Sequence, residues 1–134
     1  MNQSSYKAKI ESINEIQNFV KKRISHINND ESKLYMIDLL IEEIVVNIIN
    51  YGFKEAEEGF INVMVDTANE DLVVEISDNG IPFSPLDQKA PDLSISIENR
   101  HPGGLGIFLV KQIAKDIEYV RKNNNNILRL YLDL

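Results

Sequence analysis

The chain has 134 residues, two histidines, no cysteine and a formal charge of −7. That length makes one ordinary domain, which buries roughly two-thirds of its unfolded surface and needs no covalent staple. The composition excludes a disulfide framework and a thiolate-rich metal site, leaves His26 and His101 too few to hold zinc, and sets the net charge against electrostatic binding of nucleic acid or anionic lipid.

The N-terminus lacks the apolar core of a signal peptide. The longest apolar stretch, residues 44–49, is interrupted by Asn47 and is far too short to span a bilayer. The cytoplasm is therefore the expected location. Residues 5–10 read as a short edge strand. Ser12 and Glu15 form an S-x-x-E capping-box pattern, so a helix is expected from about Ile13, with Ile13, Ile16, Val20, Ile24 and Ile27 on its apolar face. The polar run Asn28-Asn29-Asp30 ends that helix and caps a second one over residues 31–51, whose buried face is Leu34, Ile37, Ile41, Ile44, Val45 and Ile48, with Gly52 as its C′ residue.

Residues 60–67 and 72–78 alternate as strands joined by a tight turn at Asn69-Glu70-Asp71. A loop of roughly 25 residues follows, over 79–104, punctuated by Pro82, Pro85, Pro91 and Pro102; loops of that length are usually lids or disordered. A third helix is expected from near Gly104, carrying Ile107, Phe108, Val110, Ile113 and Ala114. Residues 117–122 and 127–134 read as a closing hairpin turned by the asparagines 123–126. Leu128, Leu130, Leu132 and Leu134 repeat at period two and give the last strand one apolar face. Short hairpin connections favour an α/β (α+β) two-layer sandwich, with a mixed, mainly antiparallel sheet and three main helices on one face, forming a single domain over 1–134.

Three segments carry candidate chemistry. Glu43, Asn47 and Asn50 fall at i, i+4 and i+7, in one stripe of the second helix beside its buried face, where polar groups need partners or a ligand. The stripe reads either as a polar helix edge or as a carboxylate base beside an amide oxygen able to ligate a hard cation. Asp78-Asn79-Gly80 ends a strand, and Asp78 shares the parity of Leu72, Val74 and Ile76, so it points into the helix layer. It reads either as a turn signal or as an acceptor for an exocyclic amine such as that of adenine. Gly103-Gly104-Leu105-Gly106 opens a helix, and reads either as a flexible loop ending or as a phosphate cradle of backbone N–H groups. Neither GxxxxGK[ST] nor a dinucleotide glycine fingerprint is present.

The order of the three is more specific than any one. A helix with E-x-x-x-N, a strand ending D-x-G, a long loop and then G-x-G at a helix start resembles the N, G1 and G2 boxes of GHKL (histidine kinase-like, Bergerat-fold) ATPases, from about Leu39 to the C-terminus. The segment DNGIPFSPL…GGLGIFLVK is especially similar to the anti-sigma regulatory serine/threonine kinases of the RsbW/SpoIIAB type. The resemblance implies ATP and Mg²⁺ as cofactors, with Glu43 as general base and Asn47 as magnesium ligand. It also implies that Asp78 holds the adenine with Gly80 beside it, that Gly104, Leu105 and Gly106 line the phosphates, that Asn50 belongs to the same nucleotide site, and that residues 81–103 form the ATP lid. Pro82 stands where many members of that superfamily have a second glycine, and Asn50-Tyr51 replaces a pair that is often Ile-His.

The expectation that follows is a Mg-ATP-dependent kinase that phosphorylates a serine or threonine of an anti-sigma factor antagonist (STAS-type) and regulates transcription as an anti-sigma factor. A sigma factor and a second copy of the chain are further candidate partners. The alternative is a catalytically silent, nucleotide-gated module that sequesters a regulatory protein. No phosphoacceptor-histidine helix pair is found, so a complete sensor histidine kinase is not expected. The absence of a transducer segment likewise argues against a mechanical member of the superfamily.

Overall fold

The computed structural model describes residues 2–54, 58–84 and 110–133. In chain order the elements are strand β1 (Gln3–Lys7), a 3-10 turn (Ile10–Ser12), helix α1 (Ile13–Ile24), helix α2 (Glu31–Gly52), and strands β2 (Phe60–Ala68), β3 (Asp71–Asp78), β4 (Asp116–Lys122) and β5 (Asn125–Asp133). Residues 110–113 are also helical. The strands form one sheet in the order β1-β2-β3-β5-β4, and each of the four pairings is antiparallel.

Strand parity decides which side chains meet the helices. Ile61, Val63 and Val65 of β2, Leu72, Val74 and Ile76 of β3, and Leu128, Leu130 and Leu132 of β5 all join one core with Ile16, Val20 and Ile24 of α1 and with Ile37, Leu40, Ile41, Ile44, Val45 and Ile48 of α2. Each such side chain contributes roughly 1.5–3 kcal/mol on full burial. Val110, the first described residue of a third helical segment, is buried in the same core, and the expected start of that helix near Gly104 lies outside the described residues. On the opposite face of the sheet, Arg129 pairs with Glu75 at 3.2 Å and Glu118 at 3.4 Å across neighbouring strands. The two-layer expectation is met.

Several boundaries differ for local reasons. The capping box at Ser12 does not form. The 3-10 turn runs straight into α1, so Ser12 already has helical backbone angles (φ −79°, ψ −15°), and its buried hydroxyl makes no cap. Asp30 does cap α2 as expected: its extended backbone lets Oδ1 accept from Ser32 N–H at 2.8 Å and Lys33 N–H at 3.3 Å. Ile27 lies beyond the end of α1 and is exposed. The edge strand ends at Lys7, earlier than expected, because the chain turns into the 3-10 segment. Gly52 is the last residue of α2, not a left-handed C′ cap; Phe53 follows in extended conformation.

Both hairpins close through two residues of positive φ, Asn69 (52°) with Glu70 (72°), and Asn123 (52°) with Asn124 (62°). That is the type I′ pattern, whose twist matches the strands it joins. The four-residue asparagine turn is therefore only two residues long. Asn125 and Asn126 belong to β5, paired with Lys122 and Arg121.

Glu70 is the costly member of the first turn, because a side chain in the left-handed region costs roughly 1–2 kcal/mol. Glu70→Gly makes this an Asn-Gly turn. After allowing for glycine's extra chain entropy, it should stabilise the fold by about 0.5–1 kcal/mol, or roughly 2–5 °C in Tm. Thermal melts of the two proteins check this; a lower Tm in the variant would mean that the Glu70 side chain contributes more than its backbone costs.

Candidate functional site

Helix α2 supplies the first part of the site. Asn47 is only 1% exposed. Its amide nitrogen donates to the Glu43 carbonyl at 2.8 Å and to Glu43 Oε1 at 3.2 Å, one turn earlier in the helix. Its Oδ1 is buried and, among the described residues, has no hydrogen-bond partner. A buried amide oxygen without a donor costs about 1–3 kcal/mol, so such an atom calls for a partner beyond the described residues. Amide and carboxylate oxygens side by side are a donor set for a hard cation such as Mg²⁺, which fits the orphaned oxygen. Burial pushes the Glu43 carboxyl above its ordinary range; the Asn47 hydrogen bond lowers it, and the neighbouring Glu42 charge raises it further. Asn50, three residues beyond Asn47, is exposed.

The second part lies where β3 ends against the C-terminus of α2. Asp78 is 4% exposed. It occupies a rung that crosses all five strands, Tyr6, Ile61, Asp78, Asn126 and Arg121, on the helix-facing side. Among the described residues, both hydrogen bonds to its carboxylate fall on Oδ1, from Gly80 N–H at 2.9 Å and Asn126 Nδ2 at 3.1 Å. Oδ2 accepts none. Burial pushes the Asp78 carboxyl above the ordinary carboxylate range, against the hydrogen bonds from Asn126 and Gly80 and the charge of Arg121, which all pull it down.

Gly80 is required by contact. A Cβ there would lie 2.5 Å from the Gly52 carbonyl oxygen and 2.9 Å from Asp78 Oδ1. The missing side chain lets the backbone leaving β3 touch the end of α2, where Ile81 N–H donates to Gly52 O at 2.9 Å. Tyr51, in the last turn of α2, stacks on Phe83 with ring centroids 5.1 Å apart. Asn79 turns outward and accepts from Phe60 N–H at 2.7 Å, fastening the start of β2.

Asp78 and Gly80 thus meet the end of the helix that also carries Glu43 and Asn47. Gly104, Leu105 and Gly106 lie outside the described residues, as does most of the expected lid; only its first residues, 81–84, are described. The residues missed by sequence reasoning are Asn126 and Arg121. Asn126 was hidden inside an asparagine run, although it shares the inward parity of Leu128, Leu130 and Leu132. Among the described residues no helix is long and apolar enough to cross a membrane.

Comparison with known proteins places this geometry in a family. The histidine kinase-like ATPase domain matches residues 6–132. The chain is similar to the serine/threonine-protein kinase BtrW of Bordetella bronchiseptica, 25% identical over 96 residues covering 72% of this chain and 68% of BtrW. It is similar to the serine-protein kinase RsbW of Listeria monocytogenes, 29% identical over 86 residues, 61% of this chain and 55% of that protein. It matches the anti-sigma F factor of Clostridium novyi at 22% identity over 133 residues, 93% of each chain. The chain thus spans little more than half the length of the Listeria kinase. Among solved structures, the histidine kinase domain of the Erythrobacter litoralis EL346 blue-light activated histidine kinase superposes with a TM-score of 0.56 at 15% identity, covering 91% of this chain and 65% of that one. That likeness is one of fold. With the match running over nearly the whole chain, through both the Glu43–Asn47 helix and the Asp78 strand end, the chain belongs to the histidine kinase-like ATPase domain family.

Proposed function

We propose that this chain is a cytoplasmic, Mg-ATP-dependent serine/threonine protein kinase that phosphorylates an anti-sigma factor antagonist of the STAS type and holds a sigma factor as its second partner. The observation that carries the reading is the Glu43–Asn47 pair, a buried amide oxygen with no donor among the described residues beside a half-buried carboxylate of raised basicity. The names of the relatives, two protein kinases and an anti-sigma factor, support the choice of phosphate transfer and of partners.

In this reading Asp78 Oδ2, the carboxylate oxygen left free by Asn126 and Gly80, accepts the exocyclic amine of adenine. Asn47 Oδ1 would hold Mg²⁺, which when bound neutralises charge on the phosphates. The phosphates themselves are assigned, on sequence alone, to the backbone at Gly104, Leu105 and Gly106, and Asn50 to the rim of the same site. Glu43 takes the proton of the attacking hydroxyl; its raised pKa brings it closer to neutrality, where a general base works best. Most of the acceleration comes from positioning and electrostatics, which is where phosphoryl transfer draws its catalysis.

Asp78→Asn separates recognition from stability. The asparagine Oδ1 can keep both hydrogen bonds, but its NH₂ then faces the adenine amine, so ATP affinity should fall about tenfold or more. The folded pKa of Asp78 is raised, so the folded state binds more protons than the unfolded one above the ordinary aspartate value near 4, and ionisation of Asp78 costs stability as pH rises through its folded pKa. The variant escapes that cost, so its Tm at pH 7 should equal or exceed that of the unmutated protein, with the difference growing from pH 4 upward. Calorimetric titration and melts over that range test both halves; unchanged ATP affinity would remove Asp78 from the nucleotide site.

Glu43→Gln and Asn47→Ala separate catalysis from binding. Glu43→Gln keeps the acceptor for Asn47 and loses the base, so ATP affinity should hold while transfer to the antagonist falls about 10²–10⁴-fold. Asn47→Ala should weaken both Mg-ATP binding and transfer, because it removes a cation ligand. The measurements are Tm, Mg-ATP affinity and labelled phosphate transfer for each protein. Normal transfer by Glu43→Gln would rule it out as the base. An unmutated protein that binds ATP and the antagonist but transfers nothing would favour the silent, nucleotide-gated module.

A further inference from the structure

Among the described residues, Asn126 joins more of this site than any other side chain. It is 4% exposed and lies directly across from Asp78 in the ladder between β3 and β5. Its Nδ2 donates to Asp78 Oδ1 at 3.1 Å and to the Ile81 carbonyl at 2.7 Å. Its Oδ1 accepts from Tyr119 Oη, from Arg121 Nη1 at 3.2 Å and from Phe83 N–H at 3.2 Å. Turning the amide over would set its oxygen against two acceptors and its NH₂ against three donors. Its orientation is therefore determined by five partners. Arg121 adds a second tie, donating from Nη1 to the Gly80 carbonyl at 2.7 Å.

The consequence falls on Asp78. A carboxylate on a strand end can rotate about its broad terminal torsion and so change the direction in which its free oxygen points. Here the amide and the Gly80 N–H both hold Oδ1, so Oδ2 alone is left to face a ligand. The same amide sets the position of Ile81 and Phe83, the first residues beyond the strand. We propose that Asn126, braced by Tyr119 and Arg121, is a positioning residue that sets the purine selectivity of the site by fixing the Asp78 carboxylate and the backbone at 81–83 as one unit. This rests on the reading above in which Asp78 accepts the adenine amine.

A merely structural role for Asn126 would lower binding of every nucleotide alike. A positioning role changes the preference between a purine that donates at position 6 and one that accepts there. Without the Asn126 donor, only the Gly80 N–H, among the described residues, still holds the Asp78 carboxyl, and its orientation loosens. The carboxyl also loses a hydrogen bond that favours its ionised form.

The test is calorimetric titration of the full chain with Mg-ATP and Mg-ITP, alongside melts. The unmutated protein should prefer ATP by about tenfold or more, the scale of one hydrogen bond to a charged group. Asn126→Ala should reduce that preference to below about threefold while still melting cooperatively. If that variant does not melt cooperatively, the Tyr119→Phe/Arg121→Gln double variant carries the test. It leaves the amide in place but takes away two of its three acceptor-side partners, and the preference should fall by at least about twofold. Preference lost in Asp78→Asn but kept in a folded Asn126→Ala, or kept in the double variant, would overturn the inference and leave the proposed function standing. Preference kept in Asp78→Asn, or no binding of either nucleotide by the unmutated protein, would overturn the nucleotide reading of the strand end and this inference with it.

Discussion

Everything in the site depends on a buried carboxylate at the seam between the sheet and helix α2. Asp78 sits inside the helix-facing layer, where an ionised group loses most of its hydration, and burial is the leading influence on its protonation. The fold meets that cost with a backbone N–H, an amide and a guanidinium gathered within one rung and the turn after it. Gly80 makes the arrangement possible: only a residue without Cβ lets the chain pass the Gly52 carbonyl at this distance. Among the described residues, both hydrogen bonds to this carboxylate fall on one oxygen.

Helix α2 serves the core and the polar site at once. One face carries Ile37, Ile41, Ile44, Val45 and Ile48 into the core and anchors the helix on the sheet. The adjoining stripe carries Glu43 and Asn47 at the edge of that core, where partial burial raises the Glu43 pKa and withholds water from Asn47 Oδ1. The core side chains thus do more than stabilise; they set how deep the polar pair lies. The end of the same helix receives the backbone after β3 through the Ile81 hydrogen bond and the Tyr51–Phe83 stack. The base-reading and phosphate-facing parts of the proposed site are therefore referred to one rigid element, which is what a reaction governed by positioning requires.

Much of this was legible in the residues taken singly. The i, i+4 spacing of Glu43 and Asn47 put them on one stripe, and the shared parity of Leu72, Val74, Ile76 and Asp78 turned the carboxylate inward; both hold in the structure. Asp30 announced the start of α2 because its cap is a local bond between neighbours in sequence. Ser12 misled because the same local pattern was overtaken by a 3-10 turn packed against the core. The asparagine run misled because composition marks a turn without giving its length. The twist of the flanking strands selects a two-residue loop, and that choice sends Asn126 into the sheet.

Periodicity, capping chemistry and glycine placement were enough for the element order, the two-layer architecture and the resemblance to the ATPase family, because each depends on residues a few positions apart. The partners of Asp78 could not be read that way. Asn126 lies 48 positions along the chain from it, and Arg121 reaches the Gly80 carbonyl across 41. Only the register of β3, β5 and β4 brings these groups into one rung, and register is set jointly by the burial of every inward side chain on three strands. The sequence therefore named the carboxylate, while the tertiary structure decided which groups hold it and in what orientation.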